Sequence, residues 1–194
     1  MRSPLRPLYV TAITAAMFAT VSCSIQPIAA FPRAATTSAT AEHTTSLIRV
    51  VDGDTIAVLP TEALPATNEA GTEHAVRLLG IDAPEMHKVT EEPPECGAEA
   101  ATAYLTSLVA TGVDVTVVYD ERSDHTDRYG RSLAYVQSPT IGDLGREVVE
   151  AGYAEAWYPK GKPEPARYAE YAATELEAAS AGAGAHSTCS SIGR

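Results

Sequence analysis

The stretch that decides the fold reads VRLLGIDAPE and spans residues 76–85. Val, Leu and Ile dominate its first part, which is typical of a buried strand, but Arg77 interrupts the apolar run. An arginine in such a place needs an anionic partner, because burial removes the water that solvates its charge. Asp82 and Glu85 bracket the following turn, whose backbone Pro84 restricts. Turn capping by Asp82 and surface solvation of Glu85 would each explain one residue, so the rest of the chain decides their meaning.

Two other segments also place charged side chains beside a strand. Residues 51–55, VDGDT, contain the Asp-Gly pair of a hairpin turn between apolar runs. Asp54 comes just after that turn, at the start of a strand, where a carboxylate has little structural purpose. Residues 127–135, DRYGRSLAY, predict a tight turn at Gly130 that delivers Arg131 to the start of another strand. Taken alone, each segment is also explained by an ordinary hairpin with exposed charges.

Together the three segments supply the parts of a site for phosphodiester hydrolysis. The carboxylates of Asp54 and Asp82 and the carbonyl of Ala83 are hard oxygen ligands of the kind that Ca²⁺ takes. The two arginines can hold a phosphate group through paired hydrogen bonds and neutralise the charge that builds up in the transition state. Glu85 is available to orient or deprotonate a water molecule. The combination predicts a metal-assisted attack of water on phosphorus.

The remaining pattern predicts a small barrel with helices packed outside it. Five runs rich in Val and Ile predict strands, at residues 47–51, 55–59, 75–81, 113–119 and 132–137. Three stretches predict helices, at residues 97–110, 142–151 and 165–180. Apolar residues recur one turn apart in two of them, with Ala98, Ala101, Leu105 and Leu108 in the first and Tyr168, Ala172 and Leu176 in the last. The order favours a mainly β protein with a five-stranded OB-fold barrel and three helices.

The three motifs, in this order, resemble those of the staphylococcal nuclease (thermonuclease) family, and the resemblance extends from about residue 47 to about residue 186. It implies an OB-fold enzyme that uses Ca²⁺ to cleave DNA and RNA at the 5′ oxygen and leaves 3′-phosphates. The resemblance implies metal ligation by Asp54, Asp82 and Ala83 and catalysis by Arg77, Glu85 and Arg131. It also implies nucleotide contacts by Asp127, Arg128, Tyr129 and Tyr158, and a place for Asp52 beside the metal without ligating it.

Two features depart from the family pattern and bear on substrate affinity. The loop at residues 86–95 is basic in the best-known member, whereas here it holds Lys88 against three glutamates. Lys160 stands where the family often has a second tyrosine after Tyr158. Neither change touches the residues to which catalysis is assigned.

The charge balance disfavours one way of binding nucleic acid. The chain has 194 residues, with 14 basic and 25 acidic side chains, and its apolar content of 45% suits a packed domain rather than a disordered chain. Arg2, Arg6 and Arg33 are the only charged residues before Glu42, so the remainder carries 11 basic and 25 acidic groups, a net charge of −14. This balance weighs against a protein that binds nucleic acid with a broad basic face. We expect local, metal-assisted binding of DNA and RNA, with weak affinity and a strong dependence on Ca²⁺ concentration.

The N-terminus has the pattern of an export signal. Arg2 and Arg6 precede an uncharged run at residues 8–22, which is shorter than a bilayer span and suits the apolar part of a signal peptide. Two processing routes remain open. Cleavage after Ala30 would release a soluble protein, whereas Cys23 follows Thr-Val-Ser, which resembles a bacterial lipobox apart from its threonine, and would carry a lipid anchor. We expect an exported protein, either extracellular or attached to the cell envelope as a lipoprotein.

Composition sets the remaining boundaries. The pattern divides the chain into a leader, a flexible linker, a folded domain and a tail, at residues 1–30, 31–46, 47–186 and 187–194. Export makes a disulfide between Cys96 and Cys189 feasible, although two free thiols or a tail too mobile to pair are the alternatives.

Nothing in the sequence requires a dimer, and we expect a monomer.

Two other function classes are compatible with parts of this pattern. OB-folds often bind oligonucleotides or oligosaccharides, so a non-catalytic binding module at the cell surface is the second hypothesis. A structural lipoprotein of the envelope is the third, and it would require the three motifs to be accidental. The complete set of catalytic side chains favours a calcium-dependent nuclease over both.

Overall fold

Five strands close into a barrel in the computed structural model, which describes residues 41–67, 69–86 and 92–193. Its strands are β1 (Glu42–Val50), β2 (Thr55–Pro60), β3 (His74–Leu78), β4 (Ile81–Asp82), β5 (Asp114–Val118), β6 (Ser132–Ser138), β7 (Gly142–Asp143) and β8 (Glu155–Ala156). Antiparallel pairing joins β3, β2, β1, β5 and β6 in that order, and parallel pairing of β3 with β6 closes the ring. The predicted five-stranded OB-fold barrel is confirmed.

Apolar side chains from all five barrel strands fill the interior. β-branched residues suit this position because they pack well on a pleated, buried surface. The members with the least exposure, at most 1% each, are Leu47, Ile56, Ala57, Val58, Val76, Leu78, Val115, Val117, Ala134 and Val136. The apolar runs in the sequence therefore form the core, and a charged residue within such a run is an exception to this apolar interior.

Strand β1 begins earlier than the sequence analysis placed it. Residues 42–46, assigned there to the linker, pair with β5 from Glu42 opposite Val118 to Ser46 opposite Asp114. Thr45 is buried at 1% exposure. The composition of this segment is polar and rich in threonine, which resembles a linker, but β-branched threonine also suits a strand. The predicted leader lies outside the described residues.

Three helices pack outside the barrel: α1 (Ala98–Leu108), α2 (Leu144–Glu150) and α3 (Tyr168–Ala181), and a short 3-10 helix follows at Gly184–Ser187. Helix α1 buries Ala98, Ala101 and Leu105, which is the predicted face. The carboxylate of Asp143 caps α2 by accepting hydrogen bonds from the N–H groups of Gly145 and Arg146. No helix among the described residues is long and apolar enough to cross a membrane.

Helix α3 turns a different face inward from the one suggested by its apolar spacing. Leu176 is 73% exposed, while Tyr171, Thr174 and Ala178 are buried. The phenol of Tyr171 donates a hydrogen bond of 2.7 Å to Asp143, the residue that caps α2. Burying an aromatic ring whose hydroxyl is hydrogen-bonded stabilises the fold more than burying one leucine, so this contact sets the rotation of the helix.

A glycine divides the strand predicted at residues 75–81. Gly80 has a φ of +87°, in the left-handed region that favours glycine, so β3 ends at Leu78 and β4 starts at Ile81. Strand β4 then leaves the barrel and pairs with β8, with Asp82 opposite Glu155. This break turns the segment after β3 and places Asp82 at the edge of the barrel.

The C-terminal residues are part of the folded domain. Cys96 and Cys189 form a disulfide across 93 residues, with Cα atoms 5.8 Å apart. Ile192 lies three residues further on and is only 6% exposed. The segment assigned to a tail is therefore tied to the start of α1 and seated on the domain.

Replacing Cys96 and Cys189 together by serine should lower the free energy of unfolding by about 2–5 kcal/mol, because the bond restricts a long loop in the unfolded chain. Urea unfolding under non-reducing conditions measures the difference. A Cys23→Ser variant is the matched control and should unfold like the wild type. Equal midpoints for the double variant and the wild type would show that the bond contributes no stability.

Candidate active site

A buried arginine between two buried aspartates forms the centre of the site. Arg77, Asp54 and Asp82 are 8%, 3% and 3% exposed. The guanidinium of Arg77 lies 3.0 Å from Asp54 Oδ2 and donates a hydrogen bond of 2.6 Å to Asp82 Oδ1. It also donates to the carbonyls of Leu78 and Ile81, at 3.2 and 2.9 Å. The predicted partner of the strand arginine is therefore a pair of carboxylates.

The hairpin between β1 and β2 brings Asp54 to this arginine. A Cβ on Gly53 would lie 2.7 Å from the Cβ of Ala101 and 2.8 Å from that of Ala83, so only glycine allows this approach. The carbonyl of Asp54 accepts a hydrogen bond of 2.7 Å from the N–H of Leu78. Its Oδ2 accepts another, of 2.9 Å, from the N–H of Ala83. Asp54 thus contacts the main chain at both ends of the β3–β4 segment.

The negative charge around the arginine exceeds its own positive charge. Burial alone would lower the pKa of Arg77, but the carboxylates of Asp54 and Asp82 hold it above the usual value. Burial, together with the neighbouring carboxylates of Asp54 and Glu85, raises the pKa of Asp52 to about 6. Several carboxylates compete for one buried guanidinium, which is an environment that favours an additional cation.

The donor set of the site fits a hard cation with a partly hydrated shell. Within the part of the chain that the structure describes, no three His, Cys, Asp or Glu side chains form a metal-binding group. Two buried carboxylates lie on either side of one guanidinium, and the peptide group of Ala83 contacts one of them. Ca²⁺ accepts carboxylate, carbonyl and water oxygens together, so two carboxylates and a carbonyl suit it without a third acidic ligand.

Glu85 is exposed, and its main chain is fixed. Its N–H donates a hydrogen bond of 2.9 Å to the carboxylate of Glu95, and its carbonyl accepts one of 3.0 Å from the N–H of Glu95. Its negative charge raises the pKa values of both Asp52 and Arg77. Glu85 therefore combines an accessible carboxylate with a position close to the buried group.

The turn at residues 127–131 aims Arg131 at the same group. Asp127 Oδ2 accepts a hydrogen bond of 2.7 Å from Arg131 Nε, and Asp127 Oδ1 accepts from the N–H groups of Tyr129 and Arg131, at 2.8 and 3.0 Å. Burial opposes ionisation of Asp127, but these hydrogen bonds hold its pKa below the usual value. Arg131 Nη1 lies 3.4 Å from Thr55 Oγ1, which itself donates to Asp54 Oδ1 at 3.0 Å.

The predicted nucleotide contacts lie on two separate segments. Tyr129 is 67% exposed, with the guanidinium of Arg128 4.7 Å and that of Arg131 5.5 Å from its ring centre. Tyr158 follows β8 and packs edge-on against Tyr168, with ring centres 4.7 Å apart. The first segment is continuous with Arg131, whereas Tyr158 is positioned by the start of α3.

Two residues in this network had no assigned role in the sequence analysis. Thr55 connects Arg131 to Asp54, and its place directly after Asp54 was the available signal. Glu95 fixes the backbone of Glu85 across a separation of ten residues, for which no local pattern exists.

Comparison with known proteins gives a family for this arrangement. The family described as Staphylococcal nuclease homologue matches residues 75–187. The thermonuclease of Staphylococcus hyicus is 33% identical over 121 residues, which cover 62% of this chain and 60% of the relative. An uncharacterized endonuclease of Escherichia coli is 36% identical over 108 residues, which cover 56% and 57%. The endonuclease YhcR of Bacillus subtilis is 30% identical over 125 residues, covering 62% of this chain but 9% of that protein.

The chain spans about three fifths of the length of the first two relatives. The match to the family covers more than half of the chain and includes Arg77, Asp82, Glu85 and Arg131. The chain therefore belongs to the staphylococcal nuclease homologue family.

Proposed function

We propose that this protein is a Ca²⁺-dependent nuclease that hydrolyses the phosphodiester bonds of DNA and RNA and leaves 3′-phosphate products. The observation that carries the proposal is the buried Asp54–Arg77–Asp82 group, connected through Thr55 to Arg131 and lying beside the accessible Glu85. Relatives named thermonuclease and endonuclease support the reaction class.

Asp54, Asp82 and the carbonyl of Ala83 would hold the metal ion. When bound, Ca²⁺ would supply positive charge beside the phosphate and lower the cost of the charge that develops there. Asp52 would lie next to this group without ligating it, since its Oδ1 accepts a hydrogen bond of 3.2 Å from the N–H of Asp54. That contact orients the loop that carries the ligand.

Each catalytic side chain has a task that its surroundings permit. Arg77 and Arg131 would donate hydrogen bonds to the phosphoryl oxygens, and these bonds strengthen as charge builds up on them. Glu85 would orient a water molecule and accept its proton as the new bond to phosphorus forms. The bond from phosphorus to the 5′ oxygen would then break, the phosphate would stay on the 3′ side, and the departing oxygen would take a proton from solvent to become a 5′-hydroxyl.

Substrate binding would be local. Arg128 and Tyr129 offer one cation and one exposed ring beside Arg131, and Tyr158 offers a second ring. Stacking of bases on aromatic rings does not depend on sequence, which suits an enzyme acting on both DNA and RNA. The acidic remainder of the domain would oppose further contacts with phosphates, so the metal ion would contribute a large share of the affinity. We propose that the protein acts as a monomer.

We propose that the protein is exported, either released or attached to the envelope through a lipid at Cys23. The support is the signal-like leader and the Cys96–Cys189 bond, since disulfides persist in oxidising compartments. Mass spectrometry of the mature N-terminus distinguishes the two routes. A protein that begins at Phe31 excludes the anchor, and a lipidated Cys23 establishes it.

Chelation of Ca²⁺ should abolish cleavage of single- and double-stranded DNA and RNA, and added Ca²⁺ should restore it. Digestion followed by analysis of the product ends measures both the metal requirement and the expected 3′-phosphates. Undiminished activity in excess chelator would contradict the metal role. Binding without any cleavage would favour the non-catalytic OB-fold module.

Glu85→Gln should lower kcat by about 100-fold or more, because the amide cannot accept a proton from water. Arg131→Lys should lower it by a similar factor, since an ammonium cannot form the paired hydrogen bonds of a guanidinium. Arg49→Lys is the matched control, because Arg49 is exposed and its ion pair is with Glu73, which has no role in the proposed mechanism. Thermal unfolding should show that all three variants remain folded. Wild-type kcat in Glu85→Gln would remove Glu85 from the mechanism.

In the metal-free protein, the contribution of Asp52 to stability should fall as the pH rises from about 4 to about 6. Asp52 keeps its proton in the folded state up to a pKa of about 6 but releases it near 3.8 when unfolded, so ionisation favours the unfolded chain in that interval. Over this interval the free energy of unfolding of Asp52→Asn should change less than that of the wild type, by at most about 3 kcal/mol. Urea unfolding in chelator at several pH values measures the difference between the two proteins. Parallel curves would contradict the raised pKa.

A further inference from the structure

The turn that carries Asp82, Ala83 and Glu85 is held by the two segments that the disulfide joins. On one side stands Glu95, the residue before Cys96. Its carboxylate accepts a hydrogen bond from the N–H of Glu85, at 2.9 Å, and its own N–H donates to the carbonyl of Glu85, at 3.0 Å. These two bonds fix the end of the turn from which the catalytic carboxylate extends.

The segment after Cys189 reaches the other end of the turn. A Cβ on Gly193 would lie 3.1 Å from both the carbonyl oxygen and Oδ2 of Asp82, and 3.2 Å from Cγ of Glu155. Oδ2 is the carboxylate oxygen of Asp82 that is not bonded to Arg77. The neighbouring Ile192 is 6% exposed, so the segment is seated on the domain at this point.

The disulfide itself lies behind the middle of the turn. A Cβ on Gly97, the residue after Cys96, would lie 3.5 Å from Sγ of Cys189 and 3.6 Å from Cγ of Pro84. It would also lie 3.0 Å from the Cβ of Ala185. The bond, the start of α1 and Pro84 are therefore packed together, and the C-terminal segment contacts the barrel next to a proposed metal ligand.

We propose that the disulfide and the C-terminal segment 189–193 are positioning parts of the metal site, so that Ca²⁺ affinity depends on the oxidised bond. This inference rests on the proposed function, since it assumes that Asp82 and Ala83 ligate the metal. A carbonyl ligand moves with its backbone. If the turn were free to move, the ion would have to order it on binding, and that cost in entropy would weaken the affinity. Partners that orient metal ligands typically contribute 10- to 100-fold in affinity.

The same arrangement makes the site sensitive to reductants. A dithiol such as dithiothreitol would donate two electrons and two protons to the bond between Cys96 and Cys189. The products are two protein thiols and the cyclic disulfide of the reagent. The segment would then lose its covalent link to the start of α1, and noncovalent contacts such as the burial of Ile192 would remain. Metal binding should weaken with reduction and recover with reoxidation.

Calorimetric titration of the full chain with Ca²⁺ tests the proposal without using activity. The variant Cys96→Ser/Cys189→Ser should bind Ca²⁺ about tenfold more weakly than the wild type. Gly193→Ala keeps the disulfide but places a methyl group against Asp82, and it should also weaken binding. Val117→Ala is the control, since it removes buried volume from β5 without touching the turn. All titrations are run at a temperature where circular dichroism shows every protein folded.

The outcomes separate this proposal from the metal role itself. Weaker binding in the serine and Gly193 variants, with unchanged binding in Val117→Ala, supports the proposal. Equal affinity in wild type and both variants overturns it and leaves the metal role intact. An equal loss in Val117→Ala also overturns it, because general destabilisation would then explain the effect. A wild type that binds no Ca²⁺ overturns the metal role and this proposal together. Should the serine variant not fold, the Gly193 variant decides.

Discussion

A guanidinium buried between two carboxylates is the interaction on which the rest of the structure depends. Arg77 stays in the barrel wall because Asp54 and Asp82 offset its charge and main-chain carbonyls accept its remaining hydrogen bonds. Apolar groups of similar size would stabilise a barrel at least as well as a buried ion pair. The charges are therefore explained better by chemistry than by stability, and the hairpin of β1 and β2 and the break at Gly80 are arranged to bring them together.

An excess of negative charge connects the site to the acidic surface. Asp52 and Glu85 add to the carboxylates around Arg77, as the pKa values of Asp52 and Arg77 reflect. Such a site attracts a cation more strongly than a phosphate. For the proposed activity on nucleic acid, the order of events matters: a divalent ion that occupies the site first would reverse the local charge and make the approach of a phosphate favourable.

The sequence predicted what depends on local patterns and short motifs. Local sequence was enough to predict the barrel, the buried face of α1 and the grouping of Asp54, Asp82 and Arg77. Apolar runs mark buried strands and helix faces, turn residues mark where strands end, and a charge within an apolar strand needs a partner. The start of β1 and the inward face of α3 were not, since they depend on pairing with β5 and on the bond from Tyr171 to Asp143. The support of Glu85 by Glu95 is likewise a tertiary contact without a local signal.

The parallel pairing of β3 with β6 determines when the site forms during folding. It joins Arg77 to Leu133, two residues after Arg131, and it is the contact that closes the ring. Pairing between strands so distant along the chain forms slowly, because the entropy of closing the intervening loop is lost before the strand contacts stabilise the chain. A chain that has not yet closed its barrel therefore carries both arginines but holds them apart, so the proposed catalytic site exists only once β3 has paired with β6.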